Sequence, residues 1–456
     1  MSKQLGKSIA AAGLMLAAQQ ASALNLLQAY DMALQSDAKF AQAAAARRSA
    51  EEKKPQAVSR LLPTVNLTAA ADNVNNDNKT GFALYGGKRN DSFWNLSLNL
   101  KMNQPIYHHD YWVKLGQADS EVAAAEADYQ AQFQDLVIRT VKAYFDVLVK
   151  KDGLEYATAE KTANARQLEQ AQQRFDVGVS AITDLNEAQA AFDLSSANEI
   201  KAQDELEKAK EALREILGQT VADVAPLSEE APLQPPDPVD VQQWAERATQ
   251  GNFDVITQQN AVDIARKEVS VQQSGHYPTL DLVASHLVQD SSRDRPLADA
   301  AGNLTGGWQK MGPRAETDSV GLQLVVPFFQ GGSVTSKTRQ AGHELEKAQE
   351  KLDEKLRAAD RSARDAFRGV VSSISQVKAY KTAVRSAQSA VDAAEAGLEV
   401  GTRTMVDVVT SLRNLYRAKQ DYSKARYDYV VNGFLLKQAV GVLSREDVEL
   451  TNAWLR

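Results

Sequence analysis

The side chains that most often carry chemistry are few in this chain. It has five histidines, His108, His109, His276, His286 and His343. None stands four residues from another histidine or beside a carboxylate cluster on one helix face, the spacing a helical zinc site requires. His108 and His109 fall where a strand should hand over to a helix and read as a loop pair. No phosphate-binding loop, dinucleotide fingerprint or nucleophile elbow is present. With no cysteine, disulfides and thiolate metal sites are excluded. The sequence therefore predicts no enzyme, no metal site and no cofactor. A net charge of -7 lacks the basic footprint of a nucleic-acid partner. What remains is charge in a recurring setting. Asp184 follows Gly178 by six residues and Asp407 follows Gly401 by six, with Arg403 just after the second glycine. An Asp close to a helix start is a natural capping or dipole residue.

That setting recurs because the chain is built twice. Pro63-Thr64-Val65-Asn66-Leu67 returns as Pro278-Thr279-Leu280-Asp281-Leu282, Pro105-Ile106 as Pro327-Phe328, and Phe175-Asp176-Val177-Gly178 as Leu398-Glu399-Val400-Gly401. The offsets, 278 − 63, 327 − 105 and 401 − 178, are 215, 222 and 223, so order and spacing hold along the half-chain. The predicted organisation is an export segment at 1–23, a first repeat at 24–225, a stiff Pro-rich linker at 226–240 and a second repeat at 241–456. The export segment shows Lys3 and Lys7, a short apolar stretch at 9–18, and Ala21-Ser22-Ala23 as a small-x-small cleavage site.

Periodicity assigns the elements. Leu96, Leu98, Leu100 and Met102 alternate with Ser97, Asn99, Lys101 and Asn103; Val65, Leu67, Ala69 and Ala71 alternate with Asn66, Thr68, Ala70 and Asp72, and Val320, Leu322, Leu324 and Val326 with Gly321, Gln323 and Val325; residues 279–289 are a weaker fourth case. Period two predicts strands with one apolar and one polar face. Polar loops at 73–91 and 290–317, holding Gly86-Gly87 and Gly306-Gly307, make each pair a hairpin. From about 109 to 176 there is no proline, and Ala118, Val122, Ala125 and Tyr129 form a coiled-coil seam. Residues 333–398 match it. Helices of that size are on the order of 100 Å long. Each should stop at a Val-Gly turn, with a return helix at 181–217 or 405–442. Shorter helices are expected at 25–60, broken near Ser36, and at 241–275, broken near Gly251.

No stretch after the export segment has the ~20 apolar residues of a spanning helix, so entry into a membrane would be by strands. Four amphipathic strands cannot close a barrel, since the smallest have about eight. An open edge cannot sit in lipid. The chain must then oligomerise, polar faces to a lumen and apolar faces to lipid. Phe93, Trp94 and Tyr107 near strand ends suit an interfacial aromatic girdle. The competing expectation is a soluble periplasmic coiled-coil scaffold whose hairpins mediate assembly.

Arg174-Phe175-Asp176-Val177-Gly178 with Ala181-Ile182-Thr183-Asp184, and Val400-Gly401-Thr402-Arg403-Thr404-Met405-Val406-Asp407-Val408, resemble the two periplasmic turns of the TolC family of outer-membrane channel-tunnel proteins. Leu61-Leu62-Pro63 and Ala143-Tyr144-Phe145-Asp146-Val147-Leu148 are similar to family patterns as well. The resemblance covers the mature length. It implies a mainly α protein with a β-barrel part: a homotrimer with a long α-helical barrel in the periplasm and an outer-membrane β-barrel of four strands per chain. It implies docking on a periplasmic adaptor (membrane fusion) protein and an inner-membrane transporter, for export of small toxic compounds or secreted proteins. It also implies a gate, in which Arg403 reaches Thr183 and Asp184 while Asp407 forms an anionic ring. The turns Val177-Gly178 and Val400-Gly401 would receive the adaptor. Two departures stand out. Leu398 replaces the family's gating Tyr, and Thr410 replaces a second Asp one turn after Asp407.

Overall fold

A computed structural model describes residues 23–78, 89–291, 293–298, 304–312 and 314–455. Apart from Ala23, the expected export segment lies outside the described residues, and so does Gly86-Gly87. In chain order the helices are α1 (Leu26–Ser36), α2 (Ala38–Glu51), α3 (Lys53–Ser59), α4 (His109–Asp176), α5 (Ile182–Leu217), α6 (Val241–Gly251), α7 (Phe253–Gln273), α8 (Ser333–Glu399), α9 (Met405–Ala439) and α10 (Arg445–Asn452). The strands are β1 (Thr64–Asn78), β2 (Arg89–Tyr107), β3 (Thr279–Asp290), β4 (Arg293–Ala298), β5 (Leu304–Met311) and β6 (Arg314–Val325). No helix among the described residues is long and apolar enough to cross a membrane.

The two long helices, of 68 and 67 residues, match the proline-free seams of the sequence. The breaks near Ser36 and Gly251 are present. A further break at Glu52 was not foreseen. Pro55, which has no N–H, cannot donate to Glu51, and the helix restarts at Lys53. The loops differ more from expectation. Pairing continues to Asn78 opposite Arg89, and the segment read as a loop at 290–317 holds the antiparallel pair β4–β5. Neither stretch alternates apolar with polar residues, so backbone pairing extends there without leaving a side-chain signal.

The chain divides into two compact units, each drawing on both repeats. The first comprises Met1–Arg47, Ala124–Gln259 and Lys351–Arg456. Its core gathers Leu26, Tyr30, Leu136, Tyr144, Leu213, Trp244, Phe434 and Val448, with smaller apolar neighbours. The buried Tyr144 hydroxyl donates to the carbonyls of Leu24 and Ala225, tying the approach to α1 to the end of the first repeat. Burial raises its pKa. Asp37, 6% exposed, accepts two hydrogen bonds from the Arg139 guanidinium at 2.7 and 3.0 Å and caps α2 through the Phe40 amide at 2.7 Å. Arg139 holds this carboxyl below the usual carboxylate range, outweighing burial. At the equivalent place in the second repeat, the Asn252 side-chain amide donates to the Ala439 carbonyl at 3.0 Å. There Gly251 and Gly441 bring backbone against backbone; a Cβ on Gly441 would lie 2.0 Å from the Gly251 oxygen.

The second unit, Arg48–Ala123 and Asn260–Glu350, holds the sheet, in the order β1-β2-β3-β6, all antiparallel. Register fixes its faces. One row runs Val65, Met102, Ala284, Val320, and the next on the same face runs Leu67, Leu100, His286, Asp318. The apolar stretch covers Val65 to Ala71 and Leu96 to Met102 on the first hairpin. On the second it lies lower, at Leu280, Leu282 and Ala284 opposite Leu324, Leu322 and Val320. Above it, His286 Nδ1 meets Asp318 Oδ1 at 2.6 Å. The other face carries Asn66, Lys101, Ser285 and Ser319 in one row. Leu67, Leu100, Val320 and Leu322 are exposed, and β1 and β6 are the outer strands.

Candidate functional site

The residues singled out by the sequence converge on two turns within the first unit, joining α4 to α5 and α8 to α9. Both turns follow the same hydrogen-bond plan. The amides of Val179 and Ser180 donate to the Arg174 carbonyl at 2.9 and 3.3 Å; those of Thr402 and Arg403 donate to the Gly397 carbonyl at 2.8 and 3.1 Å. Gly178 donates to Phe175 and Gly401 to Leu398. Each glycine has a positive φ, +77° and +78°, the left-handed conformation that ends a helix by recruiting its last carbonyls. A Cβ at either glycine would meet nothing within 4 Å, so conformation rather than crowding selects glycine here. Beside them Val177 and Val400 are 74% and 75% exposed. The two expected docking turns are thus open surface on this chain.

Below the turns the helices are zipped by small apolar clusters. Ala171, Ala188 and Met405 form one, and Val391, Ala394, Val408, Leu412 and Leu415 another. Leu398 is half-buried and packs on both. A leucine here offers apolar contact in place of a hydroxyl.

The charged residues separate into two arrangements. At the start of α9 a capping box forms. Thr404 Oγ1 accepts from the Asp407 amide at 3.3 Å, while Asp407 Oδ2 accepts from the Thr404 amide at 2.9 Å and hydroxyl at 2.8 Å. The Thr404 amide bond, with its hydroxyl second, lowers the Asp407 pKa, so this carboxylate stays anionic into acid. At the start of α5 the cap position is Ala181, whose methyl group offers no acceptor; instead the Ser180 hydroxyl donates to Asp184 Oδ2 at 2.6 Å. Thr183 is exposed on the first turn of α5.

Arg403 does not meet Thr183 or Asp184 within the chain. Its ion-pair partner is Asp407, 3.9 Å away in the first turn of α9, and its side chain is 60% exposed. The arm lies over Gly397, where a Cβ would come within 2.5 Å of Arg403 Cγ. The physical reason is local. Residue 403 follows its glycine by two, so its arm folds back along α8 and the nearest carboxylate is the one a turn ahead. The link between the two turns is made by a residue that sequence reasoning quoted but did not assign. Arg174 Nη1 donates to the Leu398 carbonyl at 3.2 Å. Two turns away, Gln167 Nε2 donates to Glu395 Oε1 at 3.3 Å. These residues line a polar cleft of about 620 Å³ that also includes Arg166, Gln170 and Glu399. An arginine in the last turn of a helix was the available signal, since cations there reach terminal carbonyls.

The model of a family described as outer membrane efflux protein matches residues 29–219 and 244–442. The chain is 36% identical over 432 residues to the outer membrane protein TolC of Vibrio cholerae, covering 95% of this chain and 94% of that protein. It is 30% identical over 442 residues to the alkaline protease secretion protein AprF of Pseudomonas aeruginosa, covering 96% and 89%. Its fold is similar to the crystal structure of the outer membrane protein VceC of Vibrio cholerae, with TM-score 0.75, 18% identity, and coverage of 91% and 96%.

Proposed function

Taking as premise that the chain belongs to the outer membrane efflux protein family, we propose that it is one subunit of a homotrimeric exit duct. The duct spans the periplasm and opens through the outer membrane. It passes small toxic compounds, secreted proteins or both, as the secretion role in the name of one relative suggests. The chain is a channel protein rather than an enzyme. The observation that carries this reading is the four-stranded sheet, exposed along one apolar face and unpaired at β1 and β6. Lipid tolerates strands only in a closed barrel. Three chains supply about twelve strands, within the range of such barrels. The stagger of the apolar rows between the two hairpins agrees with tilted strands, which meet one bilayer depth at different rows. The soluble coiled-coil scaffold is not supported, because the family is one of outer-membrane proteins.

The two Val-Gly turns are the proposed docking points for a periplasmic adaptor, whose coupling to an inner-membrane transporter supplies the energy. Val177, Gly178, Val400 and Gly401 suit this by exposure and bare backbone. Thr183, Asp184, Arg403 and Asp407 are the proposed gate. Arg403 is tethered only loosely to the start of α9, which leaves it able to reach Asp184 or Thr183 of a neighbouring subunit. Asp407, kept ionised by Thr404, gives the ring of three carboxylates its charge, and such a ring favours cations in a narrow pore. The export segment 1–23 and the repeat boundary at 226–240 belong to the same proposal. The purified protein, reconstituted in planar bilayers, should form cation-selective channels. Asp407→Ala should reduce the reversal potential in a salt gradient. Absence of the chain from the outer-membrane fraction would sink the channel, and an unchanged reversal potential would remove the ring.

A further inference from the structure

The two turns are equivalent in backbone, yet each carries one arginine at a place where the other has none. The residue equivalent to Arg174 is Gly397, and the residue equivalent to Arg403 is Ser180, at the offset of 223. The consequences differ. Arg403 fills the space left by Gly397 and stays with its own helix pair. Arg174 crosses between helix pairs and takes a carbonyl at the end of α8. That carbonyl belongs to Leu398, so the acceptor is main chain and does not depend on the side chain present there.

We propose that Arg174 is the latch that holds the α4–α5 turn to the α8–α9 turn within each subunit. This proposal rests on the reading of the turns as a gate. Three features favour a latch over an incidental surface contact. The donor is a cation and the acceptor a helix C-terminus, whose dipole attracts it. The Leu398 carbonyl also receives the Gly401 amide, so the latch grips the atom that shapes the second turn. Leu398 itself packs on both apolar clusters, so moving its backbone disturbs both. Any opening that parts the two turns must break this bond once per subunit. Losing one half-buried hydrogen bond of this kind shifts a two-state equilibrium about fivefold. The shift compounds over three subunits that open together.

The test is single-channel conductance of the purified trimer in planar bilayers for Arg174→Ala, Arg174→Lys and Arg403→Ser. Arg174→Ala should raise open-state occupancy at least about fivefold without adaptor, and Arg174→Lys, which keeps a donor, should restore most of the closed state. An unchanged Arg174→Ala beside an Arg403→Ser that opens the channel would overturn the latch and leave the gate standing. No change in either would overturn both. The absence of native cysteine allows a second arm. Arg174→Cys with Leu398→Cys, joined by a short bifunctional thiol reagent, should hold the channel closed until a reducible linker is cut. A channel that opens normally while joined would also overturn the latch.

Discussion

The two repeats share a backbone and divide in their side chains. At the turns, equivalent amides and carbonyls pair in the same order, and both glycines adopt the same φ. The first repeat nevertheless reaches outward while the second closes on itself. Arg174 crosses to the neighbouring helix pair, whereas Thr404, Asp407 and Arg403 satisfy one another around one helix start. The same division appears far from the turns. Asp37 of the first repeat is clamped by Arg139 from another helix, whereas its counterpart Asn252 makes a neutral bond. Backbone duplication gives two similar struts, and at both places side-chain divergence gives the first repeat the charged tie between helices.

The largest effect should therefore fall on the first repeat's tie at Asp37. Arg139→Met leaves that carboxylate buried without its partner. The expected loss is about 3 kcal/mol, the low end for such a break because the guanidinium is partly open to solvent. Asn252→Ala removes two neutral hydrogen bonds, one to the Ala439 carbonyl and one from the Asp254 amide, and should cost about 2 kcal/mol. Denaturant unfolding of the detergent-solubilised protein measures both, and equal losses would break the asymmetry. The pair also predicts an acid limit. The folded Asp37 pKa lies below its unfolded value, so its stabilisation is complete above the unfolded pKa and is lost as pH falls through the folded one. The midpoint of unfolding should drop as the medium is taken below about pH 4, and Asp37→Asn should flatten that dependence.

The next effect concerns the helix caps. Thr404→Ala removes the hydroxyl of the capping box and should destabilise the start of α9 by about 1 kcal/mol. Ala181→Thr gives α5 the cap that α9 already has and should gain up to about 1 kcal/mol. Hydrogen exchange of the first-turn amides reports each change. If Ala181→Thr gave no protection, the Ser180–Asp184 bond would already be serving as the cap, and the two starts would be equivalent after all.

Much of this asymmetry was hidden in the sequence, although the fold was not. The long helices were legible because proline is absent over 109–176 and the seam repeats. Strand faces were legible from alternation at Leu96 to Met102, and glycine marked both turns. The β4–β5 pair was not legible, because its strands lack alternation. The partner of Arg403 was not legible either. The family resemblance paired it with Thr183 and Asp184, and within the chain the missing Cβ at Gly397 decides where the arm lies. Arg174 stood in the quoted motif, but its acceptor is a backbone carbonyl, and no side-chain pattern announces a carbonyl.

The smallest expected effect on stability is the sharpest on the comparison. Arg403 is mostly exposed, and its contact with Asp407 is long and joins the turn to the first turn of α9. Exposed pairs of this geometry contribute little to folding. Arg403→Ser should therefore leave the thermal midpoint of the trimer unchanged while altering conductance. An exposed pair tilts a two-state gate yet barely moves the midpoint of a large trimer, whichever subunit supplies the partner. A clear fall in the midpoint would place the energy of Arg403 at Gly397 and Asp407. The second turn would then be a closed structural unit, and the latch at Arg174 would be left to hold the gate.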